Sequence, residues 1–338
     1  MKAIVFPQPG EWILEDRPIP RIGPDDLLLK VHACGVCGTD LHIFHGEHFV
    51  RFPVIPGHEY AGEVVELGEN VKHIAVGDHA AVDPNITCGV CRYCRRGQIH
   101  LCEDLTALGV NMDGGFAEFS LVPAKQAYKL PSGLPLEQAA LVEPLACGVH
   151  GIDLAGISIG DDVVIIGAGP IGLIVMQLAR LAGAGRLLVS EPHEPRRRLA
   201  LELGADAAID PLNQDVKEEV LKATGIGAGV VIECVGSVRT AEQAVELARR
   251  GGTILLFGVT SPGLEAAVKP YDIFLRELTI RGSFINPFTH ARAVSLLAGG
   301  RVKVDKLISH RLRLDEFGQA LSLAGTPEAA KILIEPGG

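Results

Sequence analysis

Basic charge is the scarcer sign in this chain of 338 residues: 31 Lys and Arg stand against 41 Asp and Glu, a formal charge of −10. Such a surface matches a phosphate backbone poorly, which excludes nucleic acid as an expected partner. Little at the start suggests an apolar leader: residues 1–6 hold one Lys and then a strand-like KAIVF, without the length and flanks of a secretory signal, so none is expected. The longest uncharged run, 163–179, has 17 residues and is broken by Gly167, Gly169, Pro170, Gly172 and Gln177. A strand, a turn and a helix describe it better than a membrane span. No internal repeat or low-complexity tract occurs. With 21% charged and 47% apolar residues, the chain has too little charge for disorder and enough apolar surface for sizeable cores. About two globular domains are expected, in a cytoplasmic protein.

Eight cysteines are present, four of them between 88 and 102. In a chain this large that clustering points to metal binding in a reducing compartment rather than to a disulfide scaffold.

Residues 1–150 are rich in Gly, Pro and short β-like runs (2–6, 27–33, 62–67, 79–83, 117–122) separated by turn signals such as Pro56-Gly57 and Asp113-Gly114-Gly115. That pattern predicts a partly open, barrel-like β domain. From about Gly151 the texture alternates. Strands are expected at 162–166, 186–190, 207–210, 229–234, 253–257 and 278–283, with helices at 172–182, 195–203, 215–224 and 240–249. Six such strands predict an α/β domain with a doubly wound parallel sheet over 151–286. A tail from 287 to 338, with helices at 290–298 and 316–323 and a strand at 331–334, is expected to return to the first domain.

The strand 163–166 runs into Gly167-Ala168-Gly169-Pro170-Ile171-Gly172. In a G-x-G-x-x-G turn the first glycine makes the tight bend, the second admits a pyrophosphate to the backbone, and the third lets helix and strand approach. Glu191, 19 residues past Gly172, ends the next strand, where a carboxylate can accept from ribose hydroxyls and repel a 2′-phosphate. NAD is therefore the expected cofactor. Arg196, Arg197 and Arg198 admit two readings: Arg196 beside a 2′-phosphate, or the run coating a solvent-facing helix.

Cys88, Cys91, Cys94 and Cys102 read C-x2-C-x2-C-x7-C, which can close a tetrahedral shell around zinc and leave no open position, as a structural site requires. Free thiols or an iron–sulfur cluster are the alternatives. A second candidate set is dispersed: Cys37 in GVCGTD, His58 and Glu59 in Gly57-His-Glu, and Glu143 in Val142-Glu-Pro-Leu. One Cys, one His and one carboxylate would give zinc three ligands and an open fourth position.

With these motifs in this order, the chain resembles the zinc-containing medium-chain dehydrogenase family over nearly its whole length. Within it, the sequence is similar to the polyol dehydrogenases and in part to the threonine 3-dehydrogenases. The resemblance implies a GroES-like β-barrel catalytic domain from both chain ends, a Rossmann domain between them, one catalytic and one structural zinc per subunit, and a homotetramer. It implies Cys37, His58 and Glu59 as catalytic zinc ligands, with Glu143 as a second candidate for the third position and Cys147 behind it. Thr39 and His42 match the family's proton relay, although a turn hydroxyl and a packing histidine are their plainer readings. The implied reaction oxidises a secondary alcohol, a polyol first, an amino alcohol or butanediol otherwise, passing hydride to NAD. The polyol enzymes carry an Arg-Tyr pair where this chain has Phe284-Ile285-Asn286-Pro287. Asn286 there either meets a substrate hydroxyl or makes a turn with Pro287.

Overall fold

The computed structural model describes residues 1–47 and 50–337. Their contacts divide the chain into two compact units, 1–146 with 287–338, and 147–286.

In the first unit a seven-stranded sheet runs in the order Ile308–Leu312, Lys331–Ile334, Asp26–Gly35, Glu59–Leu67, His79–Val82, Ala127–Lys129, with Phe119–Pro123 also paired to Asp26–Gly35. The long strand Asp26–Gly35 holds this sheet together. Its two register shifts against Glu59–Leu67 bend it, as a curled, barrel-like sheet needs. Lys331–Ile334 lies antiparallel to it with Leu333 opposite Gly35, so the last strand sits beside the segment that carries Cys37. Among the described residues, Tyr60, Phe6, Phe116 and Phe317 are the largest fully buried side chains. Phe317 comes from the tail, and its ring centroid is 5.2 Å from that of Phe116, 5.5 Å from that of Trp12 and 5.9 Å from that of Phe6.

The second unit is a six-stranded parallel sheet in the order Ala207–Ile209, Arg186–Ser190, Asp162–Ile166, Ala228–Glu233, Ala248–Leu256, Thr279–Gly282. Strand order reverses between Asp162–Ile166 and Ala228–Glu233, and this switch point lies at the carboxyl ends of those strands, where the glycine turn begins. Val163, Val164, Ile165 and Ile166 are all buried, as expected of a strand covered on both faces.

Several local expectations change, and helices also form at Gly38–Phe44 and Pro270–Arg276, where none was expected. Residues 248–250 belong to a strand, and the helix before them is Val238–Leu247, started by a Ser237–Thr240 capping box that the sequence reading passed over. A helix not anticipated, Val142–Ala155, carries both Glu143 and Cys147. Among the described residues, no helix is long and apolar enough to cross a membrane.

Candidate functional site

Cys37 follows the long strand and is the N-cap of the helix Gly38–Phe44. Glu59 opens the neighbouring strand directly opposite Gly35, which brings His58 and Glu59 to the same place. One donor atom each from Cys37, His58 and Glu59 lies within 4.8 Å of the others. The His58 ring and the Glu59 carboxylate are buried, and the cysteine is half-buried.

Behind this trio stand two residues that sequence reasoning did not single out. Asp40 is fully buried; its Oδ2 accepts from the Cys37 backbone N–H at 2.8 Å, and its Oδ1 faces His58 Nδ1 at 3.6 Å. Among the described residues, Asp40 Oδ1 and His58 Nδ1 have no hydrogen-bond partner within reach. Lys331, also buried, donates from Nζ to Glu59 Oε2 at 2.6 Å and to the Val36 carbonyl at 3.1 Å. Asp40 had a faint signal, an acid three residues after an N-cap. Lys331 opens an apolar strand, KILI, and nothing local in the sequence marks it.

Burial opposes charge on His58, but the facing Asp40 and the Cys37 sulfur outweigh it and hold the imidazole well above its ordinary pKa. The pocket thus favours positive charge at its centre. A thiolate, an imidazole backed by a carboxylate, and a second carboxylate suit zinc, and three such ligands leave a fourth position for an oxygen.

Thr39 Oγ1 lies 3.8 Å from Cys37 Sγ. His42, in the last turn of the same helix, has its Nδ1 2.6 Å from Glu47 Oε2. Glu143 is buried in the first turn of Val142–Ala155 but is not one of the three clustered donors. Cys147 Sγ accepts from Asn286 Nδ2 at 3.4 Å, so the side chain of Asn286, 1% exposed, reaches across to the helix.

The four sulfurs of Cys88, Cys91, Cys94 and Cys102 also fall within 4.8 Å of one another. Backbone N–H groups point at them: Cys88 N to Cys102 Sγ is 3.3 Å, Cys91 N to Cys88 Sγ 3.4 Å, and Cys94 N to Cys91 Sγ 3.5 Å. Amide donation from Cys94 and Glu103 draws the Cys91 thiol down to about 6, while desolvation and the neighbouring sulfurs push Cys94 up to about 12. In the stretch 88–102 only Cys102 is buried, so the lobe has almost no apolar core of its own. Four converging sulfurs in such a lobe fit a closed, structural zinc site.

In the second unit the glycine turn bends at Gly167, with φ +96°, where a Cβ would lie 2.7 Å from Val235 Cγ2. A Cβ on Gly172 would collide with the Gly167 carbonyl oxygen, whereas one on Gly169 would meet nothing within 4 Å. Gly169 caps the helix Pro170–Ala182, and Pro170 and Ile171 form its first turn. Glu191 is buried; its Oε2 accepts from Ala168 N at 2.8 Å and its Oε1 from His193 N at 2.9 Å. One carboxylate thereby ties the glycine turn to the end of the second strand. The open space at Gly169 beside a helix N-terminus fits a dinucleotide pyrophosphate.

The three arginines differ among themselves. Arg198 is exposed and pairs with Glu194 at 2.9 Å, as a solvent-facing helix predicts. Arg197 instead turns inward, donating to the carbonyls of Glu191 and Pro192 at 2.9 and 2.6 Å and pairing with Asp210 at 3.0 Å. Arg196 is half-buried.

Two family profiles match the chain, the alcohol dehydrogenase GroES-like domain over residues 23–132 and the zinc-binding dehydrogenase over residues 170–298. D-arabinitol dehydrogenase 1 of Uromyces fabae is 35% identical over 340 residues, 99% of this chain and 97% of that protein. L-threonine 3-dehydrogenase of Pyrococcus horikoshii is 38% identical over 342 residues, 98% of each chain. A zinc-binding dehydrogenase from Sinorhizobium meliloti 1021, solved bound to NADP, superposes with a TM-score of 0.97 at 46% identity over 99% of each chain. A catalytic unit with a GroES-like fold and a doubly wound nucleotide unit are the two halves of a zinc-dependent oxidoreductase. The chain belongs to the zinc-containing medium-chain alcohol dehydrogenase family, whose members use a nicotinamide cofactor.

Proposed function

We propose that this enzyme oxidises a secondary alcohol, foremost a polyol, to the ketone or ketose with hydride transfer to NAD. The observation that carries this reading is the buried convergence of Cys37, His58 and Glu59 with Asp40 behind the histidine. A zinc ion held by these three residues would supply a Lewis acid for the substrate hydroxyl, and bound NAD would supply the hydride acceptor. The chain's own groups do the rest. Thr39 takes the hydroxyl proton toward His42, and Glu47, bonded to His42 Nδ1, steadies the imidazole that receives it. Asp40, whose Oδ1 faces His58 Nδ1 at 3.6 Å, is the carboxylate that would orient the ring once it ligates a metal.

The polyol reading is supported by the D-arabinitol dehydrogenase relative. A second reading, oxidation of an amino alcohol, is supported by the 38% identity to an L-threonine 3-dehydrogenase. Reduction of NAD⁺, followed by the absorbance of the reduced ring across polyols, L-threonine, 2,3-butanediol and simple alcohols, separates the two. Replacement of Cys37 by Ala is expected to abolish turnover with NADH binding retained; full activity in that variant would remove Cys37 from the metal site.

NAD is preferred over NADP because Glu191 is a buried carboxylate at the end of the second strand, where a 2′-phosphate would meet its charge. The NADP-bound relative makes this a direct comparison: equal kcat/KM with the two cofactors would refute the preference.

Self-association into a homotetramer is supported by the edge strand Thr279–Gly282, whose four residues are all exposed, and by the exposed Tyr271, Phe274 and Phe284 in the flanking chain. An unprotected edge with apolar neighbours suits pairing with a second copy, which would build the two-fold half of a tetramer. Light scattering on the parent and on Ile280→Lys tests this, the variant being expected to fall to a smaller species.

A further inference from the structure

The ion pair between Lys331 and Glu59 is among the most deeply buried in the described residues, with side chains 5% and 2% exposed. An ammonium in such a place is costly unless it is paired and hydrogen-bonded, and here it is both. The carboxylate lies directly over Gly35, whose missing side chain is what admits it: a Cβ there would collide with Glu59 Oε2. Between Gly35 beneath it and Lys331 Nζ at 2.6 Å, Oε2 is committed, and only Oε1 remains to be offered to a metal.

The charges point the same way. The Cys37 thiolate and the carboxylates of Glu59 and Asp40 are three negative charges, balanced when a divalent cation and Lys331 are both present. A carboxylate can bind a cation through one oxygen or through two. If Glu59 gave both, it would fill the position that a three-ligand site keeps for substrate.

We propose that Lys331 is a positioning residue that withholds one oxygen of Glu59, making it a single-oxygen ligand and keeping the fourth metal position open. This rests on the reading of Cys37, His58 and Glu59 as a metal site. The last strand of the chain thereby has a part in the site beyond closing the sheet.

Cobalt-substituted enzyme gives a readout apart from activity. The cysteine lobe is the same in parent and variants, so differences in visible absorption report on the Cys37 site alone. Lys331→Met is expected to weaken the visible bands severalfold, toward a five-coordinate spectrum, as Glu59 swings both oxygens onto the ion. Lys331→Arg, which retains a charged donor, is expected to restore the parent spectrum. A parent spectrum in folded, cobalt-loaded Lys331→Met would overturn the proposal while leaving the metal site intact. Because that variant buries an unpaired carboxylate and can fail to fold, a crystal structure of the zinc-loaded parent decides independently. One Glu59 oxygen on the metal with Oε2 on Lys331 supports the proposal, and two oxygens on the metal refute it. Metal analysis of the parent that finds one zinc per chain, in the cysteine lobe, would defeat the underlying reading and the inference with it.

Discussion

Gly169 separates what the nucleotide unit needs in order to fold from what it needs in order to bind. Its φ of −67° and ψ of 178° suit any residue, and a Cβ placed there touches nothing within 4 Å. The fold itself gives no reason for a glycine. Gly169→Ala is therefore expected to leave stability within about 1 kcal/mol of the parent, since a compatible Gly-to-Ala change acts mainly by stiffening the unfolded chain. If the space is where a pyrophosphate approaches the helix Pro170–Ala182, the added methyl should weaken NADH binding by about tenfold or more, some 1.4 kcal/mol. Gly172→Ala is the contrasting case. Its methyl would meet the Gly167 carbonyl oxygen inside a packed turn, and overpacking of that kind costs about 1–3 kcal/mol of stability. Urea unfolding and NADH fluorescence titration on both variants form the assay. Parent affinity for NADH in folded Gly169→Ala would show that the open space is not the phosphate site, and the placement of the cofactor at this turn would have to be abandoned.

Three other outcomes are expected. Cys91→Ser should lose the lobe's zinc and open the chain to trypsin at Arg92, Arg95 and Arg96, because only Cys102 is buried between 88 and 102; unchanged metal content and digestion pattern would contradict a structural zinc. His290 is fully enclosed, stacked on Tyr128 at 5.1 Å with Asp83 Oδ2 3.5 Å away, and burial holds its pKa below the ordinary value. The folded state then binds the proton less readily than the unfolded chain, so stability is full above about pH 6.5 and falls as the pH drops below it; His290→Phe should flatten that fall, and parallel curves for parent and variant would reject the assignment. Phe317→Ala removes the ring shared by Phe6, Trp12 and Phe116 and should cost about 3–5 kcal/mol in the transition of the first unit; a loss below about 1 kcal/mol would mean that the tail is not anchored there.

The doubly wound sheet was legible because βα alternation is a local pattern: the central strands are short apolar runs, the turn after the first of them carries three glycines, and the order of elements restricts the topology. The convergence of the four cysteines was legible for a similar reason, since they lie close together in the chain. Helix Val142–Ala155 was not, since Pro144 and two glycines disguise a segment whose helical state is secured by burial of Leu145, Ala146 and Val149. The arginines at 196–198 read as one charge run and proved to be three different side chains, because which face each one occupies depends on the neighbouring loop that supplies Asp210.

Residue types and their spacing thus determined the two kinds of domain, the glycine turn and the clustering of four cysteines, all of which depend on neighbours in sequence. Pairings across the sheet decided the rest. Leu333 opposite Gly35 and Gly35 opposite Glu59 bring three distant strands into line. Only that register places Lys331 on Glu59, a contact spanning 272 residues that no local pattern encodes. Burial then supplies the low dielectric that makes such a pair, and Asp40 behind His58, matter to whatever ion the site holds.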